Sequence, residues 1–390
     1  MKLVKLSLIA AMATGIMATT ASATPLEEAI KDVDVGGMLR VRYTNDSSKN
    51  ANENRTGDSN WNFKGELNLK TKIDDNFFAV AGIRYLDTDR STSLSGKDTR
   101  GDGFDLNRAY FGYAVGNTVV QVGRQDVGAF FTDDMFGDGI KVLNSDIEGL
   151  TLAALWMDAL ERDSDIGTLG IRDGKQKEVT DHNLYGVAAL GSYDPVSFQV
   201  WYAILEDVTD LFAVELATSF DVNDDVNLNA KFQYAFSDID SSFKKDLNNI
   251  VDDADFYGVE VGTKLFGADL TAGYVDFSTK KDKTSLVSFE DSGSFIKPGE
   301  ELVDYTIFNG KNNYWFVTAG YTIPDTGVRI GADYLDGKNK VVDEKTKMKE
   351  IVGRLEYAHS DKLKFKTWYS HVKEGDEKND RVRFEAKYSF

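Results

Sequence analysis

Cysteine is absent from all 390 residues, so no disulfide, thiolate metal site or thiol redox step is open to this chain. Histidine is nearly absent too, with His182, His359 and His371 the whole supply. A barrel hydrolase would want one of them beside a lumen-side Asp or Ser cluster, and the spacing places none there. By strand parity His359 and His371 face outward. Beyond the N-terminus no apolar run is long enough for a spanning helix, and the mean hydropathy of −0.35 excludes a helical membrane bundle. Positive charge falls short: 45 Lys and Arg against 64 Asp and Glu leave −19. Such an excess disfavours nucleic-acid binding and favours attraction of cations. Gly96-Lys97 lacks the upstream glycine of a phosphate loop. The run that starts at Asp221 lacks the Gly and the Glu of a calcium loop.

What is abundant is glycine (34), tyrosine (17) and phenylalanine (24), against four prolines, a composition suited to many punctuated strands. The final decapeptide shows the pattern. Arg381, Arg383, Glu385, Lys387 and Ser389 alternate with Val382, Phe384, Ala386, Tyr388 and Phe390. Successive strand side chains point to opposite faces, so one face is wet and the other apolar. Ten residues match the ~9–11 that a tilted strand needs to cross a bilayer. The same rhythm is read at residues 35–43, 61–73, 198–204, 212–220, 226–236, 257–265 and 363–369. It is poor at 104–115 and 315–321, where both faces are apolar. Short turns of Asp, Asn, Gly or Pro alternate with long polar connections at 45–60, 88–103, 126–138, 159–181, 237–253, 278–311, 336–347 and 374–380. One connection of that second kind, near 207–210, is short.

This pattern predicts an all-β fold: a transmembrane antiparallel β-barrel of about eighteen strands, with residues 35–390 forming the barrel. An outer-membrane barrel has short periplasmic turns and long external loops, whereas a soluble sandwich has no reason to keep that asymmetry. Lys2 and Lys5, the mostly apolar run from Leu6 to Met17 and Ala21-Ser22-Ala23 predict a signal peptide over 1–23. Residues 24–34 then form an N-terminal periplasmic arm. The last strand must pair with the first, because an open edge in lipid leaves unpaired amides.

The stretch TPLEEAIKDVDVGGMLRVRYTND (24–46), VGRQ (122–125) and the terminal KYSF resemble the major outer membrane protein porins of Campylobacter and its relatives. That resemblance implies an eighteen-stranded, trimeric general porin of the bacterial outer membrane, related to OprD-like porins. The expected function is passive diffusion of ions and small hydrophilic solutes, cation-selective, with no covalent chemistry and no cofactor. Expected partners are outer-membrane lipid, a homotrimer, and barrel assembly machinery reading the C-terminal strand. The alternatives are a substrate-specific channel, which would need an aromatic slide or a dense basic ladder, and, less favoured, a barrel hydrolase.

A barrel this wide leaks unless a loop narrows it. Residues 126–138 (DVGAFFTDDMFGD) are the candidate third loop folded inward. Ala129, Phe130, Phe131, Met135 and Phe136 are too apolar for a loop in water, and Asp126, Asp133, Asp134 and Asp138 would face the lumen. Opposite stand bases of lumen parity: Arg40, Arg42, Lys64, Arg84 and Arg108. Arg124 is left out because its parity after Gly123 is uncertain. Taken singly, each of these charges is a solvated lumen side chain, and the acidic pairs could hold a divalent cation only loosely. Small residues near Gly82, Gly112 and Gly123 point to barrel-to-barrel contact on the early strands.

Overall fold

The computed structural model describes residues 33–50, 54–92, 96–98, 101–132, 134–161, 182–223, 225–285, 294–305 and 307–390. The expected signal peptide and all but two residues of the expected arm lie outside the described residues. Val33 and Asp34 already belong to the first strand.

Strands β1 (Val33–Lys49), β2 (Arg55–Lys72) and β3 (Phe77–Thr92) form a meander, and β3 carries the three-residue β4 (Gly96–Asp98) on its outer end. The wall continues through β5 (Gly101–Val115), β6 (Thr118–Asp126), β7 (Phe136–Asn144), β8 (Leu150–Leu160) and β9 (Leu184–Tyr193). Next come β10 (Val196–Leu205), β11 (Thr209–Asn223), β12 (Val226–Ile239), β13 (Ala254–Leu265) and β14 (Ala268–Thr279). It ends with β15 (Lys311–Thr322), β16 (Val328–Val341), β17 (Glu344–Ala358), β18 (Leu363–Glu374) and β19 (Glu377–Ser389). Each pairs antiparallel with its neighbour, and β19 pairs with β1 from Met38↔Ser389 to Lys49↔Lys378. With β4 set aside, the 19-stranded sheet is a closed ring of eighteen. Phe390 completes the closure, since its N–H and C=O both bond Gly37 at 3.0 Å.

Outward faces carry the exposed apolar side chains, among them Val35, Leu39, Leu67, Leu69, Ile83, Val259, Ile330, Val382 and Phe384. That is the face expected for lipid, and it follows the alternation read at both ends of the chain.

Several connections expected to be long polar loops are strand instead. The β1–β2 ladder runs to Lys49↔Arg55, β16–β17 to Val341↔Glu344, and β18–β19 to Glu374↔Glu377. Their side chains are polar on both faces, so no amphipathic period marks them. In water the backbone ladder needs none.

The irregular segment 104–115 has a local cause. Between the pairs Gly82↔Arg108 and Arg84↔Asp105 the register shifts by one residue, a β-bulge on β5. The bulge turns Arg108 to the lumen and leaves Phe104, Leu106, Phe111 and Tyr113 exposed on the outside. Gly123 makes a second irregularity, with φ +126°, where a Cβ would overlap the Ala109 carbonyl oxygen.

The 315–321 segment alternates regularly after all. Tyr314 and Phe316 point inward and are buried, and Trp315 and Val317 point out. Its inner face is apolar because the lumen there is filled. A single buried cluster joins inward side chains such as Leu155, Met157, Trp201, Ala203, Leu211, Phe256, Phe277 and Leu335 to residues of several connections: 127–135, 295–308, 243–251 and Val208. Gly82 and Gly112 also face inward, where a Cβ would strike Asn107 and the Phe78 ring respectively. They therefore leave no outward patch. The small outward residues of the early strands are Gly65, Ala79, Ala81 and Ala109.

Candidate functional site

The expected third loop does fold inward, but it is shorter than anticipated. β6 ends at Asp126 and β7 begins at Phe136, so the loop itself is 127–135. Val127, Phe130, Phe131 and Met135 are all essentially inaccessible. A loop side chain gains that burial only by lying against the wall, and here it lies against apolar inner faces of β8 to β13.

A second inward segment, 294–305, was not anticipated. It belongs to the β14–β15 connection and packs edge-to-face with the first: Phe130 and Phe295 have ring centroids 4.9 Å apart. Ser294 N–H donates to the Phe130 carbonyl at 2.8 Å, and Phe295 in turn packs edge-to-face with Phe256 at 4.6 Å. Two wall groups, Gln233 and Glu350, and one internal contact from Tyr305 hold this segment. Gln233 accepts from Ile296 N–H at 2.7 Å and donates to the Ser294 carbonyl at 2.9 Å. Tyr305, fully buried, donates to the Ile296 carbonyl at 2.6 Å. Glu350 on β17 is 0% exposed and accepts from the N–H groups of Glu300, Glu301 and Leu302 at 3.0, 3.1 and 3.1 Å. Its Oε1 also accepts from the Ser370 hydroxyl at 2.7 Å. A buried carboxylate spread over four donors is a strong anchor. The signal that marked 126–138 was present here too, in Phe295, Ile296, Leu302, Val303 and Tyr305 inside a loop.

The two segments, together with Asp126 at the end of β6, bring carboxylates to the basic wall. Asp134 bonds Lys64 at 2.5 Å, and Asp126 holds Arg108 through two bonds of 2.8 and 2.7 Å. Glu300 meets Arg354 at 2.8 Å and Lys366 at 3.1 Å. Glu301 pairs with Arg381, which also holds Asp46. Arg42 is paired within the wall with Glu385 at 2.7 Å, and Arg84 with Glu161. Arg84 and Arg108 both lie over the Phe136 ring, at 5.2 and 5.0 Å. Of these bases Arg40 and Arg383 bond no carboxylate among the described residues. Arg40 donates to Asn62 at 3.1 Å, and Arg383 covers Trp368 at 4.8 Å.

The expected basic residues thus converge on the lumen, and Asp126 and Asp134 meet them. Asp133 lies outside the described residues. Asp138 is a correction: it is on β7, where it pairs with Arg124 at 2.7 and 2.8 Å. The pair sits opposite Ala109 on the outward face, because the ladder Ala109↔Arg124↔Asp138 keeps one side. The residues that reasoning from sequence missed are Glu300, Glu301, Arg354, Arg381 and the anchor Glu350. Trp201 and Trp368 do face inward, but both are buried and form no slide.

Burial pushes the Glu300 carboxyl up, yet Lys366 and Arg354 overcome this and hold it below the usual range. Burial also raises Glu301, and there Arg381 does not fully compensate, so it stays above the usual range. Neighbouring acids on one turn therefore titrate apart. Outside the wall, two lysines hold Asp252. Lys280 and Lys244 reach it at 2.6 and 3.1 Å and, against burial, bring its carboxyl down to about 2.

A closed eighteen-stranded ring with apolar outside and charge-lined lumen is what a family comparison now identifies. The family model described as Campylobacter major outer membrane protein matches residues 1–390. The chain belongs to that family. No curated protein sequence matches it. Among solved structures it is similar to OpdL of Pseudomonas aeruginosa, with TM-score 0.72 and 15% identity, covering 92% of this chain and 99% of that one. OccAB4 of Acinetobacter baumannii gives 0.71 and 16%, covering 92% and 98%. A BenF-like porin from Pseudomonas fluorescens Pf-5 gives 0.71 and 17%, covering 92% and 99%. At such identities the neighbours show the fold, and the family shows an outer-membrane porin with no enzymatic chemistry.

The Glu350 anchor of this porin generates a test. Glu350→Ala strands three part-buried N–H groups at a cost of up to about 1–3 kcal/mol each, which releases 294–305 while the strand ladder persists. Single-channel conductance should rise, with Glu350→Gln intermediate and barrel thermal stability little changed. Conductance equal to wild type in Glu350→Ala would remove the anchoring role.

Proposed function

We propose a general diffusion pore that favours cations, narrowed by two interlocked inward segments rather than one. The observation that carries the reading is the set of ion pairs joining Asp126, Asp134, Glu300 and Glu301 to the wall bases. These pairs, with Arg42–Glu385 and Arg84–Glu161 within the wall, remove most of the positive potential that Arg42, Lys64, Arg84, Arg108, Arg354 and Arg381 would create. The chain's −19 formal charge then tips the balance toward cations. Solutes passing between acidic segments and basic wall would be oriented by the transverse field. Arg40 and Arg383, without carboxylate partners among the described residues, support a second reading: a channel preferring anionic solutes.

Reversal potential in a salt gradient separates the two, with anion preference overturning the first. A unit charge ~7 Å from the ion path is worth about 0.6 kcal/mol in water, a factor of roughly 2–3 in permeability ratio. Asp134→Asn, Glu300→Gln or Glu301→Gln should each lower cation preference by that order. As pH falls, Glu301 loses its charge first, above the usual glutamate range, because burial outweighs Arg381, and Glu300 follows below that range. Cation preference should therefore drop in two steps, and Glu301→Gln should abolish the upper one.

The proposal includes a homotrimer. Gly65, Ala79, Ala81 and Ala109 make the outward surface of β2 to β5 shallow, which suits close approach of a second barrel. Native mass measurement in mild detergent should give three copies. A monomer alone would reject this.

Export by the signal peptide 1–23 and reading of the C-terminal strand by assembly machinery complete the proposal. Phe390 is still 42% exposed, so deleting it removes only about 2 kcal/mol of apolar burial besides its two bonds to Gly37. The truncated protein should accumulate in the periplasm yet refold in detergent to a nearly normal barrel. Normal surface levels with a markedly unstable refolded barrel would contradict a recognition role.

A further inference from the structure

At the long-connection end of the wall, two flanks of the outward face carry opposite charge, and the pore uses neither. On β16 to β19 the basic flank holds Lys338, Lys340, Lys345, Lys347, Lys373 and Lys378. Residues two apart share a face, and these share it with the exposed Ile330, Ile351, Tyr369 and Val382. The outward acids of that flank are already occupied, Asp336 by Lys349 and Asp380 by His371, both at 2.7 Å. None of the six lysines pairs with an acid among the described residues. On β8 to β13 the outward charges are Asp158, Glu206, Asp210, Asp238 and Asp255, on the face of the exposed Trp156, Ile204, Phe232 and Tyr257. Exposed Asp207 tips the turn between β10 and β11. These six strands contain two bases, Lys231 and Lys264, and both have inward parity. The acids meet only neutral groups: Tyr202 donates to Asp210 at 2.7 Å, Asn183 to Glu206 at 2.7 Å and Ser278 to Asp255 at 3.2 Å.

Both flanks set like charges directly opposite each other. Lys338 faces Lys347, Lys340 faces Lys345 and Lys373 faces Lys378 across their ladders. On the other flank Asp210 faces Asp238. Like charges in such pairs are destabilising, so a barrel standing alone carries repulsion on both sides. The two flanks begin at one level of the wall. Tyr202 beneath the acids donates to Asp210, and Tyr369 beneath the lysines donates to Asp380 at 2.5 Å, so one aromatic girdle underlies both. Round the ring the flanks stand nearly opposite each other. An anionic ligand would relieve the lysines and leave the acids as they are. A second copy of this chain relieves both.

We propose that the flanks bind each other between copies: lysines of β16 to β19 on one barrel meet acids of β8 to β13 on the next. Barrels inserted the same way in one membrane hold the two flanks at the same height, so confinement to a plane already supplies most of the orientation. Charge complementarity of this kind selects the partner and fixes the register more than it adds affinity. A contact between nearly opposite faces is head-to-tail and does not close into a ring of three, so it continues as a row. It is therefore separate from the threefold contact on β2 to β5 and joins one assembly to its neighbour. It depends neither on the ion preference of the pore nor on which end of the barrel faces out of the cell.

The test mixes full-length protein with a heavy-nitrogen-labelled copy in vesicles of phosphatidylethanolamine and phosphatidylglycerol. A carbodiimide, which joins an amine to a carboxylate without a spacer, is added, and linked peptides are read by mass. Links from Lys345 and Lys347 to Glu206, Asp238 or Asp255 should appear and should join labelled to unlabelled chains, since within one barrel these groups lie on opposite sides. Raising salt from about 0.1 M to about 1 M shortens the Debye length from about 10 Å to about 3 Å and should cut the yield severalfold. Lys373→Glu/Lys378→Glu should cut it as much, read on the same Lys345 and Lys347, with conductance unchanged. Adding Asp210→Lys/Asp238→Lys to that chain should restore it. Absence of these links in wild type, or links that neither salt nor charge reversal reduces, overturns the proposal. Links that form only after lipid A is added would assign the flanks to a lipid bridge and overturn direct contact. Links equally abundant in three-copy assemblies in dilute detergent would place the flanks inside the trimer and overturn the row. If the reversed barrel does not assemble, the wild-type links and their salt dependence decide the matter alone. Loss of conductance in the wild-type vesicles would count against the pore reading and leave the linkage result standing.

Discussion

Backbone hydrogen bonding in a medium without water governs this molecule. Every amide at membrane depth must find a partner within the protein, and the pairing of β19 with β1 is what lets an eighteen-stranded sheet meet that demand without an edge. The doubled bond between Phe390 and Gly37 shows how far the closure goes, to the last residue of the chain. Once the ring is closed, each strand has one side for lipid and one for the lumen. The remaining structure follows from what fills that lumen.

A ring this size would enclose more water than a selective pore can have. Two connections solve the problem jointly. The 127–135 loop is too short to reach across alone, and 294–305 meets it through Phe130, Ser294 and Phe295. Their apolar residues bury against the inner faces of β8 to β15, which are apolar for that reason. Charged inner faces remain on β1 to β3 and β17 to β19, and below the buried cluster on β11 to β16, where Lys231 meets Glu260 and Arg329 meets Asp269. Glu350 and Gln233 stand on the boundary, where they use side-chain groups to satisfy loop backbone that no ladder can reach.

Lumen charges are satisfied in pairs, as with Arg354 between Asp333 and Glu300.

Alternation was legible wherever one face met lipid and the other met water, as at Arg381–Phe390 and in β2, because a period of two is a local property of the chain. The count of strands, their closure, the inward loop at Phe130 and Phe131, and the basic wall at Arg40, Arg42, Lys64, Arg84 and Arg108 all follow from it. Where neither face was distinctive the pattern was silent, so the polar ladders of β16–β17 and β18–β19 read as loops. A one-residue bulge on β5 shifted the parity beside Arg108; Arg124 keeps the side of Val122 across Gly123, and Asp138 lies on a strand where the sequence reads as loop. What only tertiary structure decided is which distant groups meet: Glu350 with the amides of Glu300 to Leu302, Arg381 with Glu301, Lys64 with Asp134. Those contacts join residues tens of positions apart across a lumen, and no local period encodes the distance between two sides of a ring.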